Sequence, residues 1–158
     1  MYVTRLTAFS ATRVPKCTKR NLRRQAMTEA IENLYEKIGE CALNDAENLG
    51  GRLLVYCEIE EGSISADLVY EEAGAVPLRL RFCSKEMREL LFTLWAASDR
   101  AGPEAWTVFA MLIEADASFE ARLLYANQID LNEEPLERRT RVIRECFGDV
   151  GIDYSRPD

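Results

Sequence analysis

The alternation of apolar and polar residues between positions 53 and 71 constrains the fold of this chain more than any other feature. In the first half of this stretch every second position is apolar, at Leu53, Val55, Cys57 and Ile59. After a turn at 61–63 the alternation resumes, at Ile64, Ala66, Leu68 and Tyr70. Successive side chains of a strand point to opposite faces of a sheet, so the stretch predicts a β-hairpin with one apolar and one polar face.

Three further strands and three helices are predicted around this hairpin. Residues 78–82 and 119–125 alternate in the same way, whereas residues 106–113 are apolar on both faces, which is typical of a central strand. The helices are indicated by apolar residues three or four positions apart that follow Thr28, Ser84 and Pro135. The order α-β-β-β-α-β-β-α predicts an α+β fold, with an antiparallel five-stranded sheet and helices packed on one face.

Charge divides the chain into two regions. Residues 1–26 contain seven basic residues and no acidic residue, and the whole chain has a formal charge of −7, so residues 27–158 carry −14. We interpret residues 27–158 as a single α+β domain, because a chain of 158 residues is long enough for one core and short for two.

The basic segment 1–26 lacks the periodicity of a helix or a strand, and we expect it to be a disordered extension. Three roles are consistent with its composition. These roles are a non-functional extension from an upstream start codon, an arm that binds a partner, and a targeting segment. The first role is favoured by Met27, which opens the first clear helical pattern.

The residue types exclude much of enzyme chemistry. The chain has no histidine, which excludes mechanisms that use histidine for proton transfer or metal binding. The five cysteines have no metal-ligand spacing and indicate buried thiols in a reducing compartment. No apolar run is long enough to cross a membrane. We therefore expect a cytoplasmic protein that is not an enzyme and has no cofactor or metal.

Two groups of acidic residues form the candidate partner-binding surface. The first occupies the polar face of the predicted hairpin: Glu58, Glu60, Asp67 and Glu71. The second lies in the polar connection before the last helix: Asp130, Glu133 and Glu134. The outer face of that helix is predicted to carry Arg138, Arg139, Arg141 and Arg144, with Glu137 and Arg141 paired at i, i+4 spacing. Its inner stripe is predicted to consist of Leu136, Thr140, Ile143 and Phe147. On this interpretation both acidic groups face solvent.

The second half of the chain contains the following set of residues: Gly102-Pro103, Trp106-Thr107, a hairpin at Asp116 to Phe119, Tyr125, Pro135, Glu137-Arg138-Arg139 and Phe147-Gly148. With the order of elements over residues 28–148, this set resembles the YezG-like family of bacterial immunity proteins. The resemblance implies a small acidic α+β protein that is encoded beside a polymorphic toxin, often a nuclease. It also implies that the protein neutralises the toxin by binding it tightly.

The sequence thus predicts an immunity protein that binds a cognate toxin domain, expected to be a basic nuclease, through its acidic surface. An inhibitor can occupy the cationic cleft of a nuclease by offering carboxylates in place of phosphates. The acidic body argues against direct binding of nucleic acid. The alternative is a cytoplasmic adaptor or regulatory module that binds another protein. The sequence leaves the oligomeric state open.

Overall fold

The computed structural model describes the secondary structure of residues 2–6, 19–60, 62–101 and 105–154. The elements, in chain order, are β1 (Tyr2–Leu6), α1 (Lys19–Asp45), β2 (Leu49–Glu60), β3 (Ser63–Glu72), β4 (Leu78–Phe82), α2 (Lys85–Ala101), β5 (Trp106–Ile113), β6 (Phe119–Tyr125), a 3-10 turn (Ala126–Gln128), α3 (Pro135–Phe147) and β7 (Ile152–Asp153). They form an α+β fold around one mixed sheet. Among the described residues, none of the helices combines the length and the apolar character needed to cross a membrane.

The sheet has the strand order β1-β6-β5-β2-β3-β4-β7. The five strands predicted from the sequence are β2 to β6, and each adjacent pair among them is antiparallel. The prediction missed β1, which pairs with β6, and β7, which pairs parallel to β4 over two residues. A two-residue strand is too short to show a period, and it is this strand that makes the sheet mixed.

One face of the sheet is covered by α1 and α2. The odd-numbered residues of β2, which the alternation predicts to be the apolar face, belong to this core together with Tyr35 and Ile38 of α1 and Met87 and Leu91 of α2. Trp106 and Phe109 of β5 lie in the same core, with their ring centroids 5.6 Å apart. The predicted core face is therefore confirmed.

The opposite face is covered by α3, so the prediction that the helices pack on one face is wrong. Leu54, Tyr56 and Val69 of this face form a second core with Val142 and Phe147 of α3. This second face of β2, β3 and β5 carries Leu54, Val69 and Val108, and the burial of these apolar side chains favours cover by a helix. The alternating polar residues of the hairpin predict a face exposed to water, and the cover by α3 was therefore not predicted.

The N-terminal region differs from the expected disordered extension at two places. Residues 2–6 form the edge strand β1, and α1 begins at Lys19, ahead of the predicted start at Thr28. Residues 7–18 lie outside the described residues. The role of segment 1–26 stays a prediction.

Candidate protein-interaction site

Arg138 joins the two groups of acidic residues that the sequence predicts. Its Nη1 donates a hydrogen bond to Glu58 Oε1 of β2 at 2.9 Å, and its Nη2 donates to the carbonyl oxygen of Glu133 at 3.1 Å. The connection before α3 therefore meets the face of β2 that α3 covers, at the first turn of this helix. The Arg138 side chain is only 4% exposed, so its predicted position on the outer face of the helix is wrong.

The phase of α3 explains why arginines point inward. Val142 and Ile143 are buried against the sheet, and residues four positions apart share a helix face, so Arg138 and Arg139 must face the sheet as well. The spacing of apolar residues instead predicts Leu136 and Thr140 on the inner stripe. Leu136 is 66% exposed. Two inward arginines require carboxylates opposite them, and these are supplied by Glu58 and Asp67.

Glu58 is consequently a buried residue and not part of an exposed acidic surface. Its Oε1 accepts a hydrogen bond of 2.6 Å from the Tyr56 hydroxyl as well as the bond from Arg138. Burial, together with the hydrogen bond to Glu58, raises the pKa of Tyr56. The three groups form a buried structural cluster that attaches α3 to β2, in which Nε of Arg138 makes no hydrogen bond within the described residues.

Asp67 is buried in the same way, at 2% exposure. Its Oδ2 lies 2.9 Å from Nη1 of Arg139. Burial raises the pKa of this carboxyl, and the Arg139 guanidinium opposes the rise. The predicted exposure of Glu58 and Asp67 is thus wrong, because α3 covers the face on which the alternation places them.

Glu71 and Glu60 are the other two members of the hairpin group. Glu71 is half-buried and pairs with Arg52 at 2.9 Å. Arg52 also donates to the Cys146 carbonyl oxygen and lies over the Phe147 ring, so this pair holds the C-terminal end of α3. Glu60 is exposed at the far end of β2, two residues beyond Glu58 on the same face.

The acidic connection before α3 is partly neutralised. Arg141 donates hydrogen bonds to both carboxylate oxygens of Glu133, from Nε to Oε1 at 2.7 Å and from Nη2 to Oε2 at 3.1 Å. It also donates a hydrogen bond to Glu145 at 2.9 Å. The predicted pairing of Arg141 with Glu137 is replaced by these bonds. Glu137 Oε2 instead accepts a hydrogen bond from the backbone N–H of Glu134 at the start of the helix.

Glu133 makes stability depend on pH at the acid end. Its bonds to Arg141 hold the pKa of Glu133 below the ordinary value of 4.5. This contribution is therefore fully present above about pH 4.5 and is lost as the pH falls through the lower folded-state pKa. We expect Glu133→Gln to flatten the decrease in melting temperature between about pH 6 and pH 3. Thermal melts across this range, with the exposed Glu40→Gln as control, test the expectation; curves that run parallel to wild type would contradict it.

Four exposed carboxylates remain at the end of β2 and near the start of α3, together with two exposed leucines. Within the described residues no ion pair is found for Glu60, Asp130, Glu134 or Glu137, which we define as the acidic rim. Leu131 is 94% exposed and follows Asp130 in the chain, and Leu136 is 66% exposed and lies between Glu134 and Glu137 in the chain. Asp130 Oδ1 accepts a hydrogen bond from the Asn132 N–H at 2.9 Å, and this turn presents Leu131 at its tip.

Neither leucine is among the binding residues predicted from the sequence. Leu136 fits an apolar helical stripe and was assigned to the core. Leu131 is a single apolar residue in a polar connection, and the available signal was its position between Asp130 and Asn132, residue types that favour turns. Exposed apolar side chains within a polar margin are the usual arrangement of a protein–protein interface.

The described residues contain no group of three or more cysteine or acidic residues that could hold a metal ion. Burial raises the pKa of the Cys41 thiol to about 11 and also raises those of Cys57, Cys83 and Cys146. Such thiols are protonated at neutral pH and are poor nucleophiles. Cys17 lies outside the described residues.

No protein-family model matches the chain, and no curated protein matches it. Membership of the YezG-like family therefore stays a prediction, and the functional argument depends on the surface itself.

Proposed function

We propose that this protein is an immunity protein that neutralises a basic bacterial toxin domain, expected to be a nuclease, by binding it through the acidic rim and its two leucines. The observation that carries the proposal is the exposure of Leu131 and Leu136 among carboxylates that have no cationic partner in the described residues. Neither leucine contributes to a core of this fold, so the fold itself gives no reason for apolar side chains at these positions.

The physical chemistry of the surface suits a cationic partner. Tight interfaces combine a few apolar anchors, which exclude water, with a charged margin that guides association. Here the anchors are the two leucines and the margin is acidic. A nuclease must present cationic groups to phosphate, and carboxylates placed opposite those groups compete with its substrate. The formal charge of −14 over residues 27–158 strengthens the same attraction at longer range.

Reversal of charge in the acidic rim should slow association with the toxin. We expect Glu60→Lys with Asp130→Lys to lower the association rate constant by roughly tenfold at low salt, and wild-type association to slow as salt is added, because screening shortens the reach of the field. Leu131→Ala should instead raise the dissociation rate. Stopped-flow measurements over a salt series give both rates.

Matched controls separate the surface from net charge. Glu29→Lys with Glu36→Lys makes the same change in charge on the exposed side of α1, and Val76→Ala truncates an apolar residue that is 90% exposed in the turn between β3 and β4. We expect both controls to bind nearly as wild type. Association that is independent of salt, or equal effects of the two charge reversals, would place recognition elsewhere.

The partner for these measurements is the toxin domain encoded by the neighbouring gene. The purified protein should abolish the activity of that domain at a one-to-one ratio, and cells that express the toxin should survive only with the immunity gene. A complex that leaves the toxin active would favour the alternative function, an adaptor or regulatory module that binds a protein without neutralising it.

A further inference from the structure

The first turns of α1 precede the part of the helix that packs on the protein. Apolar contact begins at Ile31 and Leu34, which pack against the core beneath α1 and α2. The described side chains before them are exposed: Ala26, Thr28, Glu29 and Ala30. The helix nevertheless begins at Lys19. Residues 19–30, which we define as the α1 arm, span roughly 18 Å at a rise of about 1.5 Å per residue.

The direction of α1 carries the start of this arm past an edge of the sheet. The Tyr35 ring stacks on those of Phe109 of β5 and Phe119 of β6, with centroids 6.1 and 6.3 Å apart. Ten residues later, the Asp45 carbonyl oxygen accepts a hydrogen bond from Arg81 of β4 at 3.2 Å. The helix therefore crosses the sheet from the β6 side to the β4 side.

The length of α1 exceeds the width of the sheet on the β6 side. Lys19 precedes Tyr35 by roughly 24 Å along the helix axis. In the described sheet only β1 lies beyond β6, and one strand adds about 5 Å. The first turns of the α1 arm therefore project beyond the edge formed by β1.

The α1 arm is basic. Lys19, Arg20, Arg23 and Arg24 lie in its first two turns, and no acidic residue precedes Glu29 in the helix. Most helices are stabilised by tertiary packing of one face, and the exposed residues of the arm do not obtain this from the described cores. A projecting segment of this charge suits a surface of carboxylates.

We propose that the α1 arm docks on the acidic rim of a second copy of this chain. The rim presents carboxylates for which the described residues supply no ion pair, at Glu60, Asp130, Glu134 and Glu137. Within one molecule α1 and α3 cover opposite faces of the sheet, so the contact forms between copies. A second copy is favoured over nucleic acid, because residues 27–158 carry −14 and repel phosphate.

The contact joins two different surfaces, so each copy in a pair retains a further arm and a further rim. Assemblies therefore grow with protein concentration. A basic toxin that binds the acidic rim competes with the arm for the same carboxylates, and self-association keeps the rim covered until the toxin displaces the arm. The contact between copies does not itself depend on the toxin.

Sedimentation velocity of the full chain over a concentration series measures this association. At about 0.1 M salt we expect the average mass to rise with concentration above the 18.0 kDa of one chain. At about 1 M salt we expect the monomer alone, because the screening length falls from about 10 Å to about 3 Å.

A charge swap makes the test specific. Arg20→Glu with Arg24→Glu reverses the α1 arm, and Glu60→Lys with Asp130→Lys reverses the acidic rim. Each double variant alone should stay monomeric, because its arm and rim then carry the same sign. An equimolar mixture of the two should associate again, since each arm meets a rim of opposite sign.

A matched control separates the rim from net charge. Glu40→Lys with Glu86→Lys makes the same change in charge as the rim reversal, at exposed positions in the second half of α1 and the start of α2. We expect this control to associate nearly as wild type. Thermal melts establish that all three variants fold.

Four results would overturn the contact between copies: a wild-type chain that stays monomeric at low salt, association that salt does not weaken, an arm or rim variant that associates as wild type, or a mixture that stays monomeric. Binding of a short DNA duplex by the monomer, lost on reversal of the arm, would assign the arm to nucleic acid instead. Failure of the toxin measurements would overturn the proposed function alone, since sedimentation is measured without the toxin.

Discussion

Trp106→Ala should lower the free energy of unfolding by about 3–5 kcal/mol, the range for truncation of a large buried aromatic side chain. Trp106 begins β5, is 1% exposed, and packs in the core beneath α1 and α2 with its ring 5.6 Å from that of Phe109. Its removal leaves a cavity between the sheet and these helices that the surrounding side chains fill only in part. Urea denaturation measures the loss.

The exposed aromatic residue Tyr154 provides the control for Trp106. It follows β7 and is 66% exposed, so Tyr154→Ala should change stability by less than about 1 kcal/mol. If Trp106→Ala unfolds at the same urea concentration as wild type but loses the toxin, Trp106 is a binding residue and its assignment to the core is wrong.

The second large effect is expected at Arg138, because its removal leaves the carboxylate of Glu58 buried without its ion-pair partner. Arg138→Met should destabilise the fold by about 3–5 kcal/mol. The methionine keeps most of the length of the side chain, so the loss reports the uncompensated charge more than lost packing. Arg144→Met, at a position on the same helix that is 67% exposed, should stay within about 0.5 kcal/mol of wild type.

The double variant Arg138→Met with Glu58→Leu tests this explanation. Removal of both charges eliminates the unpaired carboxylate, so the double variant should be more stable than Arg138→Met alone. If the two losses simply add, the pair is not the source of the effect. These measurements also isolate the ion pair from the interface, since neither residue belongs to the acidic rim.

Much of the fold could be predicted because it depends on local patterns. The period of two between Leu53 and Tyr70 identified β2, β3 and their core-facing residues, and the fully apolar segment 106–113 identified a central strand. Pro135 and Gly148 delimited α3 correctly, since proline suits the first turn of a helix and Gly148 takes a φ of 76° that favours glycine. Each of these signals requires only neighbouring residues along the chain.

The candidate site could be predicted only in part. The acidic character of the surface was predicted from the net charge of the chain. Of the predicted residues, Glu60, Asp130 and Glu134 are exposed. Glu58 and Asp67 were assigned to solvent because a carboxylate that alternates with apolar residues usually faces water. Only the approach of Arg138 and Arg139, about 70 to 80 positions later in the chain, offsets the cost of burying their carboxylates.

The sequence by itself therefore determined the fold class, five of the strands, the position of the first core and the acidic character of the surface, because these properties are set by periodicity and composition. The tertiary structure alone decided which face α3 covers, which charges it neutralises, and which residues remain for a partner. The physical reason is that the fate of a charged side chain depends on the group opposite it. That group is brought into contact by folding and leaves no pattern in the adjacent residues.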